Sequence, residues 1–295
     1  MVFGLLAYLL WGLFPAFFPL LLPAGPVEIL AHRIVWTAVL MVLVLTALKG
    51  WGELRRASRR TWLLLVTAGV LISANWGIYV LAVNSGHVAD AALGYFINPL
   101  LSVLLAVVFL GERLNRMQLV AVGIATLGVL QLTFLSGQAP VMALGMAITF
   151  GFYGLVKKRV QVSPRASLTA ETLVIAPLGI VYLVWLESTG QGTFFSEGPV
   201  HTTLLVVSGL VTTAPLLLFG MAAKRLPLAT IGMIQYLTPT MQMLWALFVT
   251  QEYLSPARWV GFIIIWVAVA IYLADLMRRS RSRNDRSVPT PRGRG

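Results

Sequence analysis

Residues 94–113 read GYFINPLLSVLLAVVFLGER, and this stretch decides the fold. With the apolar residues before it, it completes a run over 88–110 that has the length of a membrane-spanning helix, since about 20 apolar residues cross a hydrocarbon core of roughly 30 Å. Pro99 lies well inside the run and follows Asn98, so one backbone hydrogen bond is missing beside a polar amide. A membrane tolerates such a break only against protein or water. The run therefore predicts a helix whose break faces the interior of a bundle.

The same pattern returns 140 residues later as Tyr236-Leu237-Thr238-Pro239, followed by an apolar run that ends at Glu252. When residues 82–115 are aligned without gaps with residues 222–255, the two prolines coincide, and Glu112 coincides with the later glutamate. The identity is weak, but matching features in matching hydrophobic settings are typical of internal repeats in membrane proteins.

The composition of the chain is that of a membrane protein. Of its 295 residues, 58% are hydrophobic and only 11% are charged, and the mean hydropathy is +0.86. These values exclude a soluble protein with a polar surface. The net charge of +12 does not indicate nucleic-acid binding, because the basic residues lie in short gaps between apolar runs rather than on one basic domain. We predict an all-α integral membrane protein.

Ten apolar runs separated by polar gaps are candidate membrane helices. They lie at about 2–21, 27–48, 61–83, 88–110, 117–135, 140–157, 168–186, 202–223, 229–250 and 257–276. Of the 22 Lys and Arg residues, 20 fall in alternate connections or after the tenth run, which predicts that these connections and both termini are cytoplasmic. Because five helices per half is an odd number, the second half crosses the membrane in the opposite sense. The chain is therefore predicted to form ten transmembrane helices as two inverted five-helix repeats, at 1–135 and 136–276, followed by a basic disordered cytoplasmic tail at 277–295.

Sequence motifs for enzymatic or ATP-driven chemistry are absent. The chain has no cysteine, no Gly-x-x-x-x-Gly-Lys-Ser/Thr loop and no Gly-x-Ser-x-Gly elbow. Its three histidines, His32, His87 and His201, lie in different segments without the spacing of a metal site. We therefore expect no enzymatic activity, no metal and no other cofactor, and any energy that the protein uses has to come from a gradient.

His32 and Arg33 lie inside the second run, where a charge costs roughly 2.5–3.5 kcal/mol at the centre of a bilayer helix. One interpretation is functional: Arg33 binds an anionic group, and His32 exchanges a proton near physiological pH. The other is structural: Arg33 pairs with Glu28, or its long side chain extends to the outer surface. The sequence leaves both open.

Further polar and aromatic side chains lie within the apolar runs of both halves. They are Asn75, Trp76, Tyr79, Tyr95, Asn98, Tyr153, Gln235, Tyr236 and Thr238. Such groups are unfavourable against lipid, so they face either a cavity suited to an amphipathic organic molecule or other helices, where they form hydrogen bonds. With Arg33 and His32 they are our candidate substrate-binding residues, beside helix breaks at Pro99 and Pro239. The two glutamates of the repeat either bind backbone groups of the facing half or take part in proton coupling.

Seven stretches of the sequence together resemble a known family. They are Glu28-Ile29-Leu30-Ala31-His32-Arg33, Asn75-Trp76, Ala82-Val83-Asn84, Leu93-Gly94-Tyr95-Phe96-Ile97-Asn98-Pro99-Leu100, Phe109-Leu110-Gly111-Glu112-Arg113, Phe152-Tyr153-Gly154-Leu155-Val156 and Gln235-Tyr236. The chain resembles the drug/metabolite transporter superfamily of the EamA type, and within it the RarD branch of chloramphenicol-sensitive membrane proteins. Gln251, where the family usually has glycine, departs from the pattern. The first run begins almost at residue 1, which suggests a start further upstream.

The resemblance implies ten helices in two inverted repeats and transport of small organic solutes, often outward, across the inner membrane. Our hypothesis is a secondary transporter, an exporter of a metabolite or drug, that works by alternating access about a central site between the repeats. Its expected partners are a small-molecule substrate and the lipid bilayer, without nucleic acid, and small-residue motifs such as Ala121-x-x-x-Ala125 are compatible with a homodimer. A membrane sensor or partner-binding protein without net transport, and a passive channel, stay open as alternatives.

Overall fold

The computed structural model describes residues 1–85, 88–136, 140–251 and 255–285, and every regular element within these ranges is a helix. The first helix, α1 (Val2–Gly12), is followed by two short helical segments, Phe14–Phe17 and Phe18–Leu21. The longer helices after them are α2 (Pro26–Ala47), α3 (Arg59–Asn84), α4 (Val88–Leu110), α5 (Arg116–Ser136), α6 (Val141–Arg159), α7 (Pro164–Ser188), α8 (Gly198–Arg225), the two-part helix α9a (Leu228–Gln235) and α9b (Leu237–Phe248), and α10 (Pro256–Asp285). A short helix, Trp51–Arg55, connects α2 to α3.

Nine helical segments in the described part of the chain are long and apolar enough to cross a membrane. The remaining predicted run, the ninth at 229–250, is the pair α9a and α9b, and it is interrupted at Tyr236. Pro239 lies just after the interruption and has no N–H to donate to the carbonyl group four residues earlier, whereas Pro99 stays inside a continuous α4. The prediction of ten transmembrane helices is confirmed when the two parts of α9 count as one. At the C-terminus, α10 continues to Asp285, past residue 277, where we expected the tail to begin.

The main helix contacts are preserved when each helix is exchanged for the one five places along the chain. Three helices pack on their own counterparts: α2 on α7, α4 on α9a, and α5 on α10. In the first half α1 packs on α8 and on both parts of α9, and in the second half α6 packs on α3 and α4. This exchange is what two repeats related by a two-fold axis produce.

Two glycines allow helices of different halves to approach closely. A Cβ added at Gly209 of α8 would lie 2.5 Å from Trp36 Cβ and 2.6 Å from the carbonyl carbon of the same residue in α2. A Cβ added at Gly69 of α3 would lie 2.7 Å from the carbonyl oxygen of Glu171 in α7. The two glycines are 140 residues apart, the same spacing as the two prolines. The contacts that join the halves thus depend on the absence of a side chain at matching positions.

We expect Gly209→Ala to lower the stability of the fold by about 1–3 kcal/mol, because its methyl group would meet backbone atoms that cannot move alone. Thermal unfolding of the purified protein in detergent measures the change. Gly77→Ala in α3 is the matched control, since a Cβ there meets no atom within 4 Å. If both variants unfold at the temperature of the parent, the α2–α8 contact is not as close as described.

Two of the small-residue motifs are used inside the chain. Ala121 and Ala125 of α5 are fully buried in the cluster that includes Ile265 and Ala268 of α10. A Cβ added at Gly151 of α6 would lie 3.1 Å from Leu105 Cδ1 of α4. These motifs therefore pack helices within one chain, and the homodimer stays a prediction.

Candidate functional site

A cavity of about 450 Å³ lies between the two halves, a size in the range of small-molecule sites. Side chains from α1 and the segments after it, and from α2, α3, α4, α6 and α9, form its wall. They are Tyr8, Trp11, Phe14, Pro15, Phe18, Pro19, Arg33, Asn75, Trp76, Tyr79, Tyr95, Asn98, Phe150, Gln235, Thr238, Gln242, Trp245, Ala246 and Thr250. The cavity wall therefore brings together five helices, α1, α2, α3, α4 and α6, and both parts of the interrupted helix α9.

The cavity reaches the surface at one end of the bundle. Its floor is formed by buried side chains that include Tyr8, Asn98 and Thr238, whereas Pro19 and Thr250 at its rim are exposed. Pro19 precedes the turn into α2, and Thr250 follows α9b, so the rim lies at the end away from the basic connections. The charge pattern predicts that this end is the outer one.

The structure brings eight of the eleven candidate binding residues to this cavity. They are Arg33, Asn75, Trp76, Tyr79, Tyr95, Asn98, Gln235 and Thr238. His32, Tyr153 and Tyr236 do not line it. The hydroxyl of Tyr236 donates to the carbonyl oxygen of Phe96 at 3.2 Å, which joins α9 to α4.

Arg33 lies against the aromatic wall of the cavity. Its Nε donates to Thr212 Oγ1 at 2.9 Å, and its guanidinium carbon lies 4.9 Å from the ring centre of Trp76 and 5.1 Å from that of Phe18. Glu28 is bound elsewhere, because its carboxylate accepts from the backbone N–H of Thr193 at 2.7 Å. The structure therefore contradicts the interpretation in which Arg33 pairs with Glu28.

His32 faces a different side of α2 from Arg33. Its ring stacks on Phe194 at 4.9 Å, and its Nδ1 accepts from Nε1 of Trp36 at 3.2 Å. Because successive residues of a helix point about 100° apart, the ring of His32 is turned to another side of α2, and His32 does not line the cavity. A proton exchanged by His32 would not be exchanged inside this cavity.

Polar atoms without partners lie at the floor of the cavity. Within the described residues, Tyr8 Oη, Asn98 Oδ1 and Gln235 Oε1 are buried and make no hydrogen bond. Asn75 is held by two bonds, from its Nδ2 to the carbonyl oxygen of Met146 at 2.8 Å and to Thr149 Oγ1 at 3.0 Å. An unpaired buried polar group costs about 1–3 kcal/mol, so the floor is suited to a bound molecule that supplies hydrogen bonds.

The end of the bundle with the basic connections is closed by bonds between the halves. The carboxylate of Glu112 accepts from the backbone N–H groups of Leu228 and Ala229, at 2.6 and 3.0 Å, at the start of α9a. Arg159 Nη2 donates to the carbonyl oxygen of Phe109 at 2.9 Å. Glu112 thus has the role of binding backbone of the facing half; its counterpart Glu252 lies outside the described residues.

A buried ion pair near the closed end was missed by the sequence reasoning. Lys157 Nζ lies 2.6 Å from Glu171 Oε1, and the two side chains are 3% and 1% exposed. Ser167 binds both partners, and the hydroxyl of Tyr153 donates to Glu171 Oε2 at 3.2 Å. Lys157 had been assigned to a basic connection. A single carboxylate inside the apolar seventh run was the signal that could have identified the pair.

Aromatic rings connect the cavity to this ion pair. Trp11 and Phe150 line the cavity with ring centres 5.8 Å apart, and Phe150 lies 5.4 Å from Phe219. Phe219 in turn stacks on Tyr153 at 5.6 Å. Tyr153, a candidate binding residue, is therefore separated from the cavity by one ring and belongs to the ion-pair cluster.

Comparison with known proteins gives a family and close relatives. The model of the EamA-like transporter family matches residues 1–134 and 138–274. Protein RarD of Streptomyces exfoliatus is 45% identical over 296 residues, which cover 98% of this chain and 94% of that protein. The uncharacterized transporter YojE of Bacillus subtilis is 42% identical, with 95% of each chain covered. Protein RarD of Escherichia coli K12 is 39% identical, covering 94% of this chain and 95% of its own.

One solved crystal structure has the same fold. It matches this chain with a TM-score of 0.73 and 19% sequence identity, covering 92% of this chain and 95% of its own. At this identity the likeness shows the arrangement of helices and nothing about the molecule that is bound.

Proposed function

The chain belongs to the EamA-like transporter family, and on this premise we propose that it moves small organic solutes out of the cell by alternating access about the cavity. Its relatives and its apolar helices make it a multi-pass membrane protein of the drug/metabolite transporter type. The nature of the solute, the outward direction and the mechanism are the parts that we propose. We also propose that the membrane is the inner one and that both termini lie in the cytoplasm, which the positions of Lys and Arg favour.

The observation that supports this function best is the asymmetry of the bundle. The cavity reaches the surface at one end and has an unsatisfied polar floor, while bonds from Glu112 and Arg159 close the other end. Because the halves are related by an exchange of helices, the opposite arrangement is available to the same chain at similar energy. A solute bound at the floor would then meet first one solution and then the other.

The helices that contain Pro99 and Pro239, α4 and α9, cross in the region about which such a motion would occur. α4 and α9a cross at Gly232, where an added Cβ would lie 2.8 Å from the carbonyl oxygen of Pro99. Pro99 and Pro239 each remove one backbone hydrogen bond beside this crossing, so the two ends of each helix are less tightly coupled than in an unbroken helix. In our proposal the halves rock about this crossing.

The absence of cysteine from the chain makes the proposal directly testable. We expect a single cysteine at the cavity wall, Ala246→Cys, to react with a membrane-impermeant maleimide added outside, and Ala106→Cys, at the matching position of the first repeat and buried near the closed end, not to react. A transported solute should slow labelling of the first cysteine from outside and permit labelling of the second from inside. A wall cysteine that stays unlabelled from outside, or labelling that no saturably transported solute changes, would count against alternating access.

A further inference from the structure

The cavity has a single charge on its wall, and we propose that it selects organic monocarboxylates. This inference rests on the proposed function and adds the class of solute to it. Arg33 is the one Asp, Glu, Lys or Arg side chain among the lining residues that the structure describes. It is 8% exposed, so its positive charge has lost most of its water. A charge in this setting is stable only with a partner.

The protein itself supplies only some of the acceptors that the guanidinium group of Arg33 needs. Thr212 accepts one hydrogen bond, from Nε, and the described residues provide no acceptor for the two terminal nitrogens of the guanidinium group. The rings of Phe14, Phe18 and Trp76 lie 4.9–5.5 Å from the guanidinium carbon and attract the charge, but ring faces do not replace oxygen acceptors. The fork of the terminal N–H groups is therefore available to a planar anion.

A carboxylate fits this fork better than a phosphate does. Two parallel N–H···O bonds join a guanidinium group to a carboxylate in one plane. A phosphate ester has a charge of about −1.5 to −2 at neutral pH, and the single cation of this wall would leave part of that charge unbalanced. A bound monocarboxylate leaves the site neutral.

The other side chains of the cavity wall indicate the chemistry of the solute beyond its carboxylate. Between Arg33 and the floor the wall is aromatic, with Trp11, Trp76 and Phe150, so the body of the solute is apolar and suited to stacking. At the floor, Asn98 Oδ1 and Gln235 Oε1 are acceptors without donors. A hydroxyl, amide or ammonium group at the far end of the solute would satisfy them. The inferred class is a monocarboxylate with a flat apolar body and a hydrogen-bond donor at the other end.

Binding to the purified protein tests this inference without a transport assay. The probes are 3-(4-hydroxyphenyl)propionate and its primary amide, which differ in charge and hardly in shape, within a panel of aromatic and aliphatic monocarboxylates with their amides. Isothermal calorimetry or thermal stabilisation in detergent gives the affinity. We expect the carboxylate to bind at least tenfold more tightly than the amide. Arg33→Gln should bring this ratio close to one by weakening binding of the carboxylate, and Arg33→Lys should keep part of the preference.

A second pair of probes tests the hydrogen-bond donor at the far end of the solute. 3-Phenylpropionate lacks the hydroxyl, and we expect it to bind several-fold more weakly to the parent protein than the hydroxylated probe does. Asn98→Leu should reduce that difference while the preference for carboxylate over amide persists. A thermal unfolding transition close to that of the parent shows that each variant is folded.

The result from the parent protein alone can overturn the inference. Equal binding of carboxylates and amides, no binding of any carboxylate in the panel, or a preference that survives Arg33→Gln would each do so. Saturable flux of neutral or cationic solutes would then leave the proposed function standing without this class of solute. If Arg33-dependent carboxylate binding is found but no solute crosses reconstituted vesicles, the proposed function fails and the binding site remains.

Discussion

Replacing Lys157 by methionine is expected to lower the free energy of unfolding by about 3–5 kcal/mol, because it leaves the buried carboxylate of Glu171 without its cation. Glu171 is the eighth residue of α7, which begins at a proline, just as Arg33 is the eighth residue of α2. The two halves thus have opposite charges at matching positions, and only the second is neutralised by a lysine. Thermal unfolding in detergent and the yield of folded protein in membranes measure the loss.

Two further variants separate the ion pair from simple packing. Lys157→Met combined with Glu171→Met should recover most of the lost stability, because neither charge is then left alone in an apolar site. Lys158→Met removes a bond from Nζ to the carbonyl oxygen of Leu226 at a half-buried position, so its effect should be small. If the double variant is as unstable as Lys157→Met alone, shape rather than charge explains the loss.

Glu112→Ala is expected to open the closed end of the bundle. The variant removes two charge-assisted hydrogen bonds to Leu228 and Ala229, which together contribute about 3 kcal/mol to closure. Since 1.4 kcal/mol changes an equilibrium tenfold, the state open at this end should become about 100-fold more populated. Faster labelling of Ala106→Cys from the inside would report the change, together with slower labelling of Ala246→Cys from the outside.

Glu187→Ala is the control for this change in the population of the state open at the inner end. Glu187 also accepts from a backbone N–H group, that of Phe194 at 3.2 Å, but at the opposite end of the bundle and within the second half. The Glu187→Ala variant should lose some local stability without increasing labelling of Ala106→Cys. Glu112→Gln keeps an acceptor and should have an intermediate effect. An unchanged labelling rate in Glu112→Ala would mean that other bonds keep this end closed.

Much of the fold was predictable because the length of an apolar run and the positions of the charges follow directly from the order of residues along the chain. Ten runs and alternating basic gaps led to ten helices. Pro239 lies just after the interruption of α9, whereas α4 is continuous through Pro99, so the break predicted there is not seen in this helix. Most of the cavity wall was predictable for the same reason: an amide such as Asn75 inside an apolar run has to face protein or water. The spacing of Tyr8, Trp11, Phe14 and Phe18 at three or four residues along the first run could also have added that aromatic wall to the site.

The features of the site that were not predicted depend on the directions in which side chains point and on where helices begin and end. His32 and Arg33 are adjacent in sequence, but the rotation of α2 separates them. Lys157 was counted with its basic neighbours, and the seventh run was started at residue 168 although α7 begins at Pro164. The side chains of Lys157 and Glu171 therefore meet within the bundle, which the hydropathy of either run alone does not reveal.

The unbalanced charge of Arg33 has a consequence for the electrical work of transport. When the cavity opens to one solution, this charge lies near the potential of that solution, so changing the open side of the empty protein moves about one elementary charge through the membrane field. That movement is worth about 2.3 kcal/mol per 100 mV. A bound monocarboxylate cancels the charge, and the loaded protein changes sides without electrical work. In the proposed export of monocarboxylates, an inside-negative potential would therefore draw the empty site to the inner face, where the cargo is loaded, and each complete cycle would move one negative charge outward.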